Sequence, residues 1–249
     1  MKKTYSSERF WEIDFLRGMA ICLMIFYHLL FDLHFFYNLD PFFPFDNWKV
    51  LQVITGGLFL TLVGTSAFLK VQKLRNLQES LIFFSFLKQA LFIFFLGFLL
   101  TVFTSLFIEG GIIIFGILQL IALSLVLAYP FLKKPRLALF FSVIIIFFSP
   151  LLNNTVNGID YLLPLGGRQF SFSMLDYYPI FPWFAFVLLG IFLGNQFFKD
   201  GQRKFSVWSV QNNTVFLFLS FLGKNSLLIY FIHQLIIFIF LGLLFLFLK

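Results

Sequence analysis

Apolar runs of about twenty residues recur along the chain, separated by short clusters that hold most of its charge. That is the length an α-helix needs to cross hydrocarbon, whereas membrane barrel strands are shorter and alternate polar with apolar positions. The pattern predicts seven spans, at roughly residues 12–36, 48–69, 81–107, 112–132, 137–151, 178–198 and 224–247. The fifth is short, and the stretch from Thr214 to Leu222 reads as an added interfacial helix, so the count carries a margin of about one. The expected fold is all-α, a polytopic membrane helix bundle built as a single domain over residues 1–249.

Composition agrees. With 60% hydrophobic residues, 43 Phe among 249 residues and a mean hydropathy of +0.95, there is too little polar surface to cover a water-soluble globule. If the N-terminus is cytoplasmic, fifteen of the eighteen Lys and Arg fall on that side, and only Lys49, Arg168 and Lys249 lie opposite. That bias sets the orientation by the positive-inside rule. It also turns the net charge of +7 into a topology signal rather than a nucleic-acid footprint. The start at Met1-Lys2-Lys3 is basic but runs into a full span, so no cleaved signal peptide is expected. Cys22, the single cysteine, lies within the first span and reads as packing.

The longest polar stretches, residues 37–47 and 152–177, fall on the outer side and suit a polar extracytoplasmic substrate. The chain shows no internal duplication of the kind common among secondary transporters.

The first span carries ionisable groups that hydrocarbon normally excludes: Asp14, Arg17, His28 and Asp32. At ~100° per residue, Arg17 and His28 differ by ~20°, and Asp14 and Asp32 each lie ~60° from Arg17, so the four share one face. Intramembrane charges usually face a protein interior or a water-filled cavity and mark function; the bland alternative is that they tie helices together. Asp32 follows His28 at i+4, where a carboxylate can hold or bias an imidazole for general-base work. Asp14, at i−3 from Arg17, can orient the guanidinium as a bidentate anion site, or Arg17 can snorkel as a topology anchor. His34 lies ~100° off the row and is a weaker candidate.

In the last span Ser226, Tyr230 and His233 fall at i, i+4 and i+7, one stripe of a helix, with Gln234 beside them. His233 lies about 14 Å in from Lys224, a depth like that of His28. A site between the first and last helices would therefore unite the two histidines. Asp176, Tyr177 and Trp183 open the sixth span at the outer face, as interface anchors or as an aromatic wall with one carboxylate for a sugar. Lys88 and Gln119 are expected to face the bundle interior, with snorkelling or phosphate binding as alternatives for Lys88.

The segment Glu12-Ile13-Asp14-Phe15-Leu16-Arg17-Gly18-Met19-Ala20-Ile21, with Met24 and His28, resembles the opening helix of the heparan-α-glucosaminide N-acetyltransferase catalytic-domain family in its short prokaryotic form. Three later segments are similar to the same family: Phe115-Gly116-Ile117-Leu118-Gln119, then Asp176-Tyr177-Tyr178-Pro179 with Pro182-Trp183, then Ser226-Leu227-Leu228-Ile229-Tyr230 with His233-Gln234. The Arg17-to-His28 spacing also looks like that of the wider superfamily of membrane acyltransferases. The resemblance implies acyl transfer, acetyl first of all, from cytoplasmic acyl-CoA to a carbohydrate hydroxyl or amine. His28 is then the catalytic histidine, and Arg17 helps to hold the donor. Many relatives carry histidine where Gln119 stands, so no base is implied there. The lysosomal branch places a histidine in the loop after its first span; this chain has none at that distance, so a glycosaminoglycan acceptor is not implied.

The resulting expectation is an acyl-CoA-dependent membrane enzyme with His28, Asp32, Arg17 and Asp14 as catalytic groups. Its binding pocket would draw on His233, Gln234, Tyr230, Ser226, Asp176, Tyr177, Trp183, Gln119 and Lys88. The expected partners are acyl-CoA (acetyl-CoA), a carbohydrate acceptor and the lipid bilayer of a prokaryotic cytoplasmic membrane, with no metal, no nucleic acid and a homo-oligomer left open. The alternatives are a proton-coupled transporter using the same His and Asp groups, and an accessory protein whose polar row only packs helices.

Overall fold

A computed structural model describes residues 9–39, 48–108, 111–156, 160–166, 173–199, 202–206 and 213–247. Much of the two outer stretches that suit a polar substrate, including residues 40–47 and 167–172 with Arg168, lies outside these described residues.

Eight α-helices form among the described residues: α1 Trp11–Tyr37, α2 Trp48–Leu74, α3 Glu79–Phe107, α4 Ile117–Leu127, α5 Pro135–Val156, α6 Ile180–Phe197, α7 Thr214–Lys224 and α8 Ser226–Phe247. Five of them, α1, α2, α3, α6 and α8, are long and apolar enough to cross a membrane. The outward faces suit lipid. Phe84, Leu91, Phe95 and Phe98 of α3 are each more than half exposed, and contiguous apolar exposure on that scale marks a membrane or partner surface. The chain is an integral membrane protein of the all-α class.

Two expected segments differ in extent. The fourth, read at 112–132, is α-helical only over the 11 residues of α4. Gly111–Ile112 instead pairs in parallel with Ser173–Met174 as two short strands, the amide of Gly116 is held by the side chain of Gln119, and a 3-10 turn at Tyr129–Phe131 contains Pro130. Proline lacks the N–H that would continue the α-helical ladder. The stretch from Thr214 forms α7, whose 11 residues rise about 16 Å, too short for a hydrocarbon core of about 30 Å. Asn213 starts it, its Oδ1 accepting from the amides of Val215 at 3.0 Å and Phe216 at 3.4 Å.

The helices cluster into two compact units. One runs from Leu60 to Ser206. Within it α2 and α6 approach backbone to backbone, because a Cβ at Gly64 would strike the carbonyl of Val187 and one at Gly190 the carbonyl of Thr61. Thr65 Oγ1 donates to the carbonyl of Gly190 at 2.9 Å across this crossing. Small residues with one hydroxyl are how helices associate where lipid gives no hydrophobic drive. Ser142 of α5 ties to α6 in the same way, donating to the Ala185 carbonyl at 2.8 Å. Lys70 of α2 reaches α3, donating to the Ser85 carbonyl at 3.1 Å and to Gln89 Oε1 at 2.8 Å.

The second unit comprises Ser6–Phe59 and Val207–Lys249, and its frame is α1 with α7 and α8. α7 lies on the first half of α1. Phe216 stacks on Phe15 at 4.0 Å and edges Trp11 at 4.8 Å, while Gly18 faces the Leu219 carbonyl and Gly223 the Asp14 carbonyl, with no room for a Cβ at either. α8 lies along the second half. The ring pairs His28–His233, Phe36–Phe238 and Tyr37–Phe245 advance together, so α1 and α8 run parallel. Parallel spans require an odd number of crossings between them; five were expected there, and three helices long and apolar enough to cross, α2, α3 and α6, lie between them in sequence. α1 is capped by Asn38, whose left-handed conformation (φ 54°) turns the following amide, that of Leu39, back to the Leu33 carbonyl at 3.0 Å.

Gly223→Val places a branched side chain against the Asp14 carbonyl. The variant is expected to lose about 1–3 kcal/mol or more of stability, read as a lowered unfolding midpoint in detergent or nanodiscs, whereas Gly242→Val, where a Cβ meets nothing within 4 Å, leaves the midpoint in place.

Candidate functional site between the first and last helices

The polar row of α1 is divided between its two neighbours. At the α7 end, Asp14 is 1% exposed and is bound by two guanidiniums. Arg9 Nε stands 2.7 Å from Oδ2 and Arg9 Nη2 donates to Oδ1 at 3.0 Å, while Arg17 Nη1 lies 3.6 Å from Oδ1. The i−3 pairing of Asp14 with Arg17 was legible from helical spacing. Arg9 was not, because it precedes the helix and reaches Asp14 from outside the 3.6-residue period. Gly18 in the same motif is one of two glycines at which the backbones of α1 and α7 meet.

At the α8 end the two histidines meet. The rings of His28 and His233 have centroids 4.8 Å apart and are inclined at 58°. His28 is half-buried, flanked by Tyr27 at 5.5 Å, and His233 is buried, with the ring of Tyr230 at 5.6 Å. Nδ1 of His233 lies 2.6 Å from the carbonyl oxygen of Tyr230. A carbonyl only accepts, so Nδ1 carries the hydrogen and, in the neutral ring, Nε2 keeps its lone pair. That Nε2 is buried and has no hydrogen-bond partner.

Asp32 does not take the place its i+4 spacing suggested. Its carboxylate is fully buried, and Gln234 Nε2 donates to Oδ1 at 2.9 Å and to Oδ2 at 2.8 Å. Among the described residues no hydrogen bond joins Asp32 to His28. The physical reason is competition: an amide N–H of Gln234 on the facing helix is shared between both carboxylate oxygens and takes up the acceptor that an imidazole one turn away on the same helix would need. Asp32 therefore pins α8 rather than His28. Gln234 Oε1 is left buried without a partner. Ser226 is half-buried at the start of α8, on the stripe of Tyr230 and His233, His34 is half-buried on α1, and Cys22, expected to pack, is exposed.

The remaining predicted residues belong to the Leu60–Ser206 unit, four of them close to the start of α4 and of α6. Asp176 Oδ2 accepts from the amide of Ile117 at 3.1 Å, and Gln119 Oε1 accepts from the amide of Gly116 at 3.0 Å, so both cap α4. Gln119 is 4% exposed, lies against Gly97 and donates to Thr101 Oγ1 at 3.1 Å. It faces the interior as expected and ties α4 to α3. The hydroxyl of Tyr177 donates to the Leu163 carbonyl at 2.7 Å. Trp183 is buried, its ring 4.6 Å from Tyr178, and so packs inward instead of presenting itself to a headgroup layer. Lys88 is exposed on α3 rather than turned to the interior, because Ile82, Phe86, Ala90 and Ile93 occupy the buried face of that helix. This exposure fits the snorkelling alternative.

An all-helical membrane protein with a polar seam between its first and last helices is the class that this geometry defines. The chain belongs to the heparan-alpha-glucosaminide N-acetyltransferase catalytic family, whose model matches residues 9–235. The family is one of membrane N-acetyltransferases, and the match encloses Asp14, Arg17, His28, Asp32, His233 and Gln234 alike. Comparison with curated proteins and with solved structures gives no match.

Gln234→Leu strips Asp32 of its donor. The variant is expected to lose about 1–3 kcal/mol, the cost of an unsatisfied buried polar group, and the double variant Asp32→Leu/Gln234→Leu to recover much of it. Denaturant unfolding of the four proteins in one double-mutant cycle reads the coupling.

Proposed function

We propose that this protein transfers an acyl group, acetyl first of all, from cytoplasmic acyl-CoA to a hydroxyl or amine of a carbohydrate at or beyond a prokaryotic cytoplasmic membrane. The observation that carries the reading is the 4.8 Å pairing of His28 with His233, enclosed by two helices in a chain of an acetyltransferase family. Acyl transfer from a thioester needs a base at the acceptor. As the acceptor nitrogen or oxygen attacks the thioester carbonyl, its proton passes to a neutral imidazole, the carbon–sulfur bond breaks, and the thiolate leaves and regains a proton. The base is drawn from the histidine pair. Asp32 acts through Gln234 to hold α8 in register, and Tyr230 and Ser226 line the same stripe of α8.

Arg17 and Asp14 stand on the donor side. Helical rise puts Arg17 about 16 Å from His28, and the bias of basic residues supports placing the Arg17 end by the cytoplasm, where acyl-CoA is made. A guanidinium suits the phosphates of the donor, and the extended arm that carries the thioester has the right shape to run along α1 toward the histidines. Asp176 and Gln119 are occupied with the start of α4 and are left out of this site.

The test uses purified protein in proteoliposomes, labelled acetyl-CoA and a panel of amine and hydroxyl glycan acceptors. Wild-type protein is expected to label an acceptor. His28→Ala/His233→Ala is expected to lower that rate by about 100-fold or more while still binding acetyl-CoA. A wild-type protein that transfers nothing, or that instead moves a solute when a pH gradient is imposed, overturns the reading.

A further inference from the structure

The two histidines are not equivalent. A histidine that works as a general base usually has its second ring nitrogen held by another group, which fixes the tautomer and aims the lone pair. His233 meets that condition. Its Nδ1 donates to the Tyr230 carbonyl at 2.6 Å, a backbone atom of the same helix that side-chain motion does not carry away. Its Nε2 is shielded from solvent and unpartnered. His28 has no such holder: among the described residues its ring makes ring contacts with Tyr27 and His233 but no hydrogen bond, and Asp32, one turn on, is taken by Gln234.

A buried lone pair with no donor is uncommon in proteins and calls for a cause. Gln234 Oε1, on the next residue of α8, is a second buried acceptor in the same condition. Both sit beside the seam with α1, and both call for a ligand that brings hydrogens. A hydroxyl or a neutral amine satisfies them; a carboxylate or phosphate, which only accepts, does not.

We infer that His233, through Nε2, is the residue that takes the proton from the acyl acceptor, with the Tyr230 carbonyl as its positioning group and His28 as the facing wall of the site. The inference rests on the acyl-transfer reading above. The acceptor's O–H or N–H donates to His233 Nε2 and its heteroatom attacks the thioester carbonyl carbon. The new carbon–oxygen or carbon–nitrogen bond replaces the carbon–sulfur bond, and the proton moves from Nε2 to the departing CoA sulfur. No other reactant is consumed.

Two measurements test it. Nitrogen-15 NMR of histidine-labelled protein in nanodiscs, with His28→Asn and His34→Asn used to isolate the signal, is expected to show His233 protonated at Nδ1 and bare at Nε2. The opposite tautomer overturns the inference and leaves acyl transfer standing. In the labelled transfer assay His233→Asn, which keeps a side-chain N–H for the Tyr230 carbonyl but has no basic nitrogen, is expected to lose about 100-fold or more with acetyl-CoA binding and unfolding midpoint retained. His28→Asn is expected to show the smaller loss. Equal or greater loss in His28→Asn, or full transfer by His233→Asn, overturns the assignment alone; a wild-type protein that transfers nothing overturns it together with the function. If His233→Asn unfolds, His233→Gln replaces it in the same comparison.

Discussion

The amide of Gln234 lies across both oxygens of Asp32, and the arrangement between α1 and α8 follows from it. A carboxylate in a bundle surrounded by lipid has no water to fall back on, so its partner must come from the protein. Here the partner is on the facing helix, and the pairing fixes how far α8 can slide along α1. His28 and His233 both lie on the N-terminal side of that pair, in helices that run the same way, and their rings meet at 4.8 Å. Phe36–Phe238 and Tyr37–Phe245 then carry the contact toward the ends of the helices.

At the other end of α1 the constraint is steric rather than polar. Gly18 and Gly223 bring α7 against α1 until backbone meets backbone, and the two arginines bind Asp14 beside that crossing. Two glycines also bring α2 against α6 in the other unit, where a threonine hydroxyl rather than an ion pair bridges the crossing. Hydrocarbon rewards burial of a leucine no more than exposure of one, so the specific contacts of this protein are made by its few small and polar residues. The many phenylalanines supply surface.

How much of this was legible in the sequence depended on whether a feature obeys a helical period. Five of the seven expected spans follow from the length of the apolar runs, and the shared face of Asp14, Arg17, His28 and Asp32 and the stripe of Ser226, Tyr230 and His233 follow from 3.6-residue spacing. Equal depth pairs His28 with His233, and their rings lie 4.8 Å apart in the structure. What spacing cannot show is which of two suitable partners wins. Asp32 was read with His28 on its own helix and is held by Gln234, 202 residues away. Gln119 and Asp176 carried the chemistry of a binding site, and their hydrogen bonds go to the amides of Gly116 and Ile117. A side chain that caps a helix and one that waits for a ligand look alike in a sequence, since both are polar groups beside apolar runs.

The 202 residues between Asp32 and Gln234 also have a meaning in time. Chains are made at about 5–20 residues per second, so Asp32 is made roughly 10 to 40 s before the residue that satisfies its carboxylate exists. During that interval Asp32 and His28 cannot be left in lipid at no cost, and α1 must be sheltered by the insertion machinery, or sit shallow in the interface, until α8 arrives. α1 is thus completed only when α8 arrives. A truncated chain that stops short of α8 would be expected to remain with the translocation apparatus rather than to diffuse away from it as a smaller bundle.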